Sequence, residues 1–383
     1  MPLSRRQTLA LLGGGVITAA AAATGWHITR PLQSALVPWA QAGGYDDPRL
    51  FALSYAILAP NPHNRQPWLV ELVAEDQVIL HVDRDRLLPH TDPYSRQITI
   101  GLGCFLEVMR MVALERGLTV DIDPFPEGGD AQALDARPVA HCTFRPTDAA
   151  PDPLFAQVPH RRTLKDPFDM ARPVAASTLE QVAAAAQAGS MVGHTADPAQ
   201  VAELRRLSHD ALRIEIETPH TYRESVDLFR IGRREVDAQP DGIDFAGPMF
   251  EALHLMGLFN RDVALDSSSM SYQQGLAAVL ENTDTAMAHI WQVTRTNTRA
   301  DQIAAGRDWL RLNLAATAQG LGLQPLSQAL QEYPEMAGHY AEIHQRLAPD
   351  GGTVQMFARA GYGRAVPQSP RWPLEDRLID PTG

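Results

Sequence analysis

The stretch Arg161-Arg162-Thr163-Leu164-Lys165 sets three cations and a hydroxyl within five residues, and Lys165 is the only lysine among the 33 basic residues of the chain. Such a set supplies charge-assisted hydrogen-bond donors, each worth roughly 1.5–3 kcal/mol to a bound anion. A second segment, Ala59-Pro60-Asn61-Pro62-His63-Asn64-Arg65-Gln66-Pro67-Trp68, carries three side-chain amides, of which Asn61 and Asn64 are the asparagines. An amide offers a donor and an acceptor together, which suits the polar edge of a flat heterocycle. A third segment runs from Gly361-Tyr362-Gly363 through Pro367 and Pro370 to Arg371-Trp372-Pro373-Leu374-Glu375-Asp376. On residue types alone, the basic stretch also suits a solvated face at a domain junction, and the third segment a surface tail.

Taken together, the three segments resemble the nitroreductase family. There, an Ala-Pro-Ser-x-x-Asn-x-Gln-Pro-Trp junction and an Arg-Arg-Ser-x-Arg/Lys stretch hold FMN from opposite sides, and a closing Gly-Tyr-x…Pro…Arg-x-Pro-Leu-Glu pattern follows. Having both segments in one chain, in inverted order, is similar to the tandem branch with two fused halves, which includes the Acg-type FMN-binding proteins. The resemblance implies that Arg161, Arg162, Thr163 and Lys165 face the FMN phosphate and that Arg371 reaches the same group, with Arg364 a weaker alternative. It implies that Pro60, Asn61, Pro62 and Asn64 face the flavin ring, and that a backbone N–H at Leu326 or Ser327 lies by the flavin N5. The chain departs from the family pattern in having Asn61 for the usual serine and Thr163 for serine; the second change keeps the hydroxyl.

From the same resemblance follow an α+β, nitroreductase-like fold and two fused halves forming an intrachain pseudo-dimer. The expected parts are a signal segment 1–25, halves 43–149 and 150–383, and a lid-like insertion at 201–260. One complete motif set implies one FMN per chain between the halves, since Arg49 alone precedes Pro60 nearby and no second Asn-x-Gln-Pro-Trp occurs. The implied activity is FMN-dependent reduction of a small organic substrate, with the hydride chemistry belonging to the cofactor and no side chain as obligatory acid or base. The alternative is a flavin-holding protein with an occluded site and little turnover.

The elements that must position these residues are partly legible. Apolar spacing predicts a helix from Asp47 to Ala59, ended by Pro60 and Pro62. Two strands, Trp68 to Val73 and Gln77 to Val82, flank a short hairpin loop. A strongly apolar helix from Leu102 to Arg116 is closed by Gly117 and followed by a strand from Leu118 to Ile122. Later come a helix from Leu179 to Gln187 capped by Ser177 or Thr178, a polar region with helical patches and a Pro240-Asp241-Gly242 turn, a helix from Ile303 to Gln319, and a strand from Thr353 to Arg359. Gly101 to Ile122 and Gly306 to Pro325 share a layout, with Arg116-Gly117-Leu118 matched by Gln319-Gly320-Leu321. That faint repeat suggests duplication.

Composition narrows the function classes. A net charge of −12 argues against nucleic acid as a partner, because phosphate neutralisation needs a basic face. Arg5-Arg6 before the apolar run 9–23 suggests a twin-arginine signal, so periplasmic delivery through the twin-arginine translocase is expected, with a retained membrane anchor as the alternative. Outside the cytoplasm a quinone or a redox protein is the expected electron donor, and inside it NAD(P)H. Cys104 and Cys142 are expected as buried free thiols, and without a Cys-x-x-Cys or a paired-histidine helix no metal site is expected. Gly101-Leu102-Gly103 lacks the third glycine of a dinucleotide fingerprint, and Ser208-His209-Asp210 are consecutive on a helix, where neighbours point apart.

Overall fold

The computed structural model describes residues 32–380, so the signal expected at Arg5-Arg6 lies outside the described residues. The architecture is α+β. One sheet has the order β11-β1-β2-β4-β3 and a second β5-β8-β10-β9. In the first, β1 (Trp68–Ala74) and β2 (Gln77–Val82) form the expected hairpin, joined by β4 (Ala140–Pro146) and β3 (Leu118–Pro124). In the second, β8 (Ala288–Thr294) and β10 (Thr353–Gly361) are central, between β5 (Met191–Thr195) and β9 (Gly322–Pro325).

Two long helices lie between the sheets. Following α1 (Val37–Gln41) and α2 (Pro48–Ala56), α3 runs Arg96–Leu114, beginning before the expected Leu102. Polar residues hid that start, but the Asp92 carboxylate accepts from the Gln97 and Ile98 amides at 3.1 and 2.9 Å and caps the turn. Arg96 is fully buried because its guanidinium donates to the Gln355 and Leu330 carbonyls, each at 2.7 Å. After α4 (Ala176–Ala183) come α5 (Pro198–Glu217), α6 (Pro219–Asp227), α7 (Arg233–Ala238), α8 (Pro248–Leu255), α9 (Arg261–Leu265) and α10 (Met270–Asp284). The N-cap of α4 is Ala175, so Ser177 and Thr178 sit inside its first turn instead of capping it. The second long helix, α11 (Arg299–Ala318), starts at a Thr298/Asp301 capping box; α12 is Ala337–Leu347.

Helices α3 and α11 meet backbone to backbone. A methyl group at Gly103 would lie 2.3 Å from the Ile303 carbonyl oxygen, and one at Gly306 would lie 2.0 Å from the Ile100 carbonyl oxygen. The contact is reciprocal, and Ile100, Gly103 and Gly117 are each the same number of positions from Ile303, Gly306 and Gly320. The repeat register therefore pairs Gly103, not Gly101, with Gly306. Both helices end on left-handed glycines, Gly117 at φ +66 and Gly320 at φ +64. Cys104, a buried free thiol like Cys142, donates to the Gly306 carbonyl at 3.1 Å. Beside it, buried Glu107 joins Arg110 (2.6 Å), Arg307 (2.9 Å) and Arg311 (3.1 Å), and Arg311 also reaches Asp152 at 2.7 Å.

Two departures concern where the halves begin and end. The tail returns to the first sheet, where β11 (Leu378–Ile379) runs parallel to β1, so residues after 150 complete the sheet built by residues before it. The insertion also starts later than expected: α5 packs Leu204, Leu207 and Ala211 into the core of the second sheet with Val293 and Phe357. Only after Glu217 does a separate small core form, from Val226, Phe229, Ile231 and Ala264 around the parallel pair β6 (Phe229–Ile231) and β7 (Ile243–Phe245). Replacing Gly306 by alanine should force α3 and α11 apart and cost about 1–3 kcal/mol of stability. Denaturant unfolding checks this, and an unchanged midpoint would show that the glycine contact does not set the helix spacing.

Candidate functional site

Segment 59–68 crosses the N-terminal part of α3, where Gly101 leaves room; a methyl group there would sit 3.1 Å from the Pro62 ring and 3.2 Å from Asn61 Cβ. His63, Asn64 and Gln66 hold φ values of 48, 51 and 51, left-handed backbone that costs free energy and persists only if braced. Asn61 supplies one brace, accepting from the Gln66 amide at 2.8 Å and donating to the Ala59 carbonyl at 3.2 Å. Asn64 supplies another, donating to the Pro370 carbonyl at 3.0 Å and accepting from Arg371. Each amide thus uses one N–H and one lone pair to brace this backbone and keeps one of each for the ligand edge expected from the sequence. Fully buried Gln66 donates to the Pro240 carbonyl at 2.6 Å and accepts from the Trp372 amide at 2.9 Å, while Trp68 packs on Phe105 at 5.1 Å.

The basic stretch lies along the second sheet. Thr163 bridges Leu323 of β9, and the Leu164 amide donates to the Leu323 carbonyl at 3.2 Å. Leu164 and Phe168 lie on bare backbone, since a methyl group at Gly322 would meet Leu164 at 2.6 Å and one at Gly361 would meet Phe168 at 2.5 Å. Arg359 fixes the loop from below. It is fully buried, donates through Nη2 to the Lys165 and Asp166 carbonyls at 2.8 Å each, bonds Gln324 and Thr285, and lies 4.1 Å from the Phe168 ring. Sequence reading left Arg359 as the end of a strand; an arginine on a strand that buries both faces was the available signal.

The five cation and hydroxyl positions divide in two. Arg161 is buried, with Thr163 Oγ1 at 3.5 Å as its hydrogen-bond partner among the described residues. Arg162 donates to the Pro159 and Arg161 carbonyls at 2.9 and 2.7 Å. Arg371 is buried, holds the Leu58 and Ala59 carbonyls at 3.2 Å each, and keeps an enclosed Nε without a partner. Burial first, then the charges of Arg161 and Arg162, pushes the Arg371 guanidinium down to about 9; burial pushes Arg161 down to about 10. All three stay cationic at neutral pH. Among the described residues, no carboxylate pairs with any of the three. Arg364, the weaker alternative, is exposed and shows no such grouping.

Lys165 is exposed, and its charge disfavours protonation of His63. Desolvation, then Lys165, then Arg65 lowers the His63 imidazole to about 4, and its enclosed Nδ1 has no partner. Through its carbonyl Lys165 is held by Arg359, at the exposed edge of the basic stretch. Leu326 is corrected: its amide donates to the Phe357 carbonyl at 2.8 Å and its side chain is buried, so no free N–H remains there; Ser327 is half-buried and accepts from the Leu330 amide at 2.9 Å.

A further group was hidden in the polar middle region. Asp241, expected as a simple turn residue, is 5% exposed and accepts from Arg65 (3.1 Å), Arg86 (2.6 Å) and Arg230 (2.8 Å). Next to it the Gly242 amide donates to the Asn64 carbonyl at 3.3 Å, pinning the inserted module onto segment 59–68.

No protein-family model matches the chain. The chain is 35% identical over 98 residues to "Putative NAD(P)H nitroreductase acg" of Mycobacterium tuberculosis, a match covering 25% of this chain and 28% of that protein. The aligned stretch thus spans less than a third of that relative's length. A longer match, 24% identical over 350 residues, covers 84% of this chain and 91% of "Putative NAD(P)H nitroreductase Rv3131" from the same organism. These relatives support the nitroreductase family for this chain. Among solved structures, a nitroreductase-titled protein from Anabaena variabilis aligns with 88% of this chain and 93% of its own at 11% identity and a TM-score of 0.42. The FMN-dependent nitroreductase NfnB from Mycobacterium smegmatis, solved with NADPH, aligns with 57% and 92% at 19% identity and a TM-score of 0.32.

Replacing Asp241 by alanine should leave two buried guanidinium groups, Arg65 and Arg230, without a carboxylate, while Arg86 keeps Asp83, and should cost about 3–5 kcal/mol. Hydrogen exchange should quicken in the module around Phe229–Ile231 and in segment 59–68 together. Unchanged exchange in either would show that the ion cluster does not dock the module.

Proposed function

We propose that the chain is an FMN-dependent oxidoreductase of the nitroreductase family, with one FMN between its halves. The observation that carries this is the group of buried Arg161 and Arg371 with half-buried Arg162, cations with no carboxylate, which fit a phosphate dianion. The enclosed Arg371 Nε and the Thr163 hydroxyl add donors of the right kind. When bound, FMN supplies hydride transfer, and the chain supplies binding and electrostatics.

In this reading the arginine group holds the phosphate end, and Arg359 fixes the loop that carries Arg161 to Lys165. Lys165 lies toward the ring end, where an ammonium opposes negative charge accumulating on reduction. The His63 imidazole, lowered to about 4, is neutral at working pH and offers an uncharged ring nitrogen. Pro60 and Pro62 line the half-buried turn beside it. The substrate is a small organic acceptor. The docked module favours a second reading, a flavin holder with little turnover, because its pinning over segment 59–68 restricts access. Bleaching of the flavin by anaerobic NADPH supports turnover, while bleaching by dithionite alone supports the holder or a donor other than NADPH.

The division of the cations gives a sharper test than affinity alone. Arg161→Ala should weaken FMN binding by about ten- to a hundredfold and riboflavin binding little, because riboflavin lacks the phosphate. Lys165→Ala should weaken both alike. Fluorescence titration of apoprotein measures the four constants, and equal losses of FMN and riboflavin in Arg161→Ala would remove the arginines from the phosphate.

Twin-arginine export to the periplasm belongs to the same proposal and rests on Arg5-Arg6 and run 9–23. Replacing both arginines by lysine keeps the charge but loses the guanidinium pair. Flavin-loaded protein should then collect in the cytoplasm, and periplasmic recovery of the double variant would exclude this route.

A further inference from the structure

Residues 33–41 touch three separate parts of the molecule. At one end, the carboxylate of Asp237, in the last turn of α7, accepts the consecutive amides of Gln33 (2.9 Å), Ser34 (3.0 Å) and Ala35 (3.2 Å). In the middle, the Ala35 carbonyl accepts the Arg371 amide at 2.8 Å. At the other end, Trp39 on α1 donates its Nε1–H to the Ser369 carbonyl at 2.8 Å. The Trp39 ring lies 4.7 Å from the Arg162 guanidinium carbon and 5.7 Å from that of Arg371.

The placement of the ring answers a physical problem. Two buried cations and a half-buried third, without a carboxylate, repel one another, and the site loses its shape if one guanidinium swings to water. An indole face attracts cations and excludes water from them, an interaction worth from about 0.5 to 2 kcal/mol as desolvation increases. Trp39 therefore holds Arg162 and Arg371 in place while no anion is present and covers them when one is. The ring stays there only while the short segment is anchored, and the anchor is a carboxylate on the inserted module.

We propose that residues 33–41 form a latch over the phosphate end of the cofactor site, with Trp39 as a positioning residue for Arg162 and Arg371 and Asp237 as the catch. This rests on the FMN reading above. The latch ties opening of the inserted module to release of the cofactor, because Asp237 moves with the module and the indole moves with the segment.

The test is the rate of FMN release from holoprotein, read as recovery of flavin fluorescence after dilution. Trp39→Ala should release FMN about tenfold faster than wild type. Asp237→Ala should do the same, although Asp237 touches neither Arg162 nor Arg371. The double variant should release no faster than about twice the faster single variant, since both act through one segment. Should Trp39→Ala fail to fold, Trp39→Leu keeps an apolar body without the indole face and carries the same expectation. Wild-type release in the Trp39 variant or in Asp237→Ala overturns the latch while leaving the FMN reading intact. A wild-type protein that binds no FMN overturns the reading itself, and the latch with it.

Discussion

The close approach of α3 and α11 at Gly103 and Gly306 is the constraint on which the site depends. Segment 59–68 rests on α3 through Gly101, and the basic stretch 161–165 is built onto β9, which follows α11. A side chain larger than hydrogen at the crossing would separate the helices and with them the two segments. Glu107 then ties both helices together with arginines from each, in a place where an unpaired charge would be costly.

Around that crossing the chain distributes its arginines in two distinct ways. Several structural arginines are paired with a carboxylate, three on Asp241 and three on Glu107, while others such as Arg359 and Arg299 are spent on carbonyls, side-chain oxygens or a phenyl ring. Arg161 and Arg371, buried beside half-buried Arg162, are the contrast: the group is met by carbonyls, a hydroxyl and an indole instead of a carboxylate, and the other two charges lower Arg371. Buried charge without a counter-charge is expensive, and a bound anion is the simplest physical reason to keep it.

Motif content and the long helices could be read from the chain because both are local. The hairpin Trp68–Ala74/Gln77–Val82, helix Arg299–Ala318 and the glycine stops at 117 and 320 follow from spacing and backbone chemistry. What escaped was set by distant partners. The amides of Asn61 and Asn64 looked wholly available, but left-handed backbone at His63, Asn64 and Gln66 needs one N–H and one lone pair of each as braces. Asp241 looked like a turn residue because nothing local reveals three arginines from Arg65, Arg86 and Arg230.

The central claim is that the unpaired arginines hold a phosphate dianion. Phosphorus NMR of the protein as isolated, followed across pH, tests it directly. A free phosphomonoester titrates near pH 6, whereas one held by three guanidinium groups keeps its dianionic shift through that range. The account predicts one bound phosphorus resonance per chain with no titration between about pH 5.5 and 8. A protein with no phosphorus signal, or one whose signal titrates like the free ester, would contradict it.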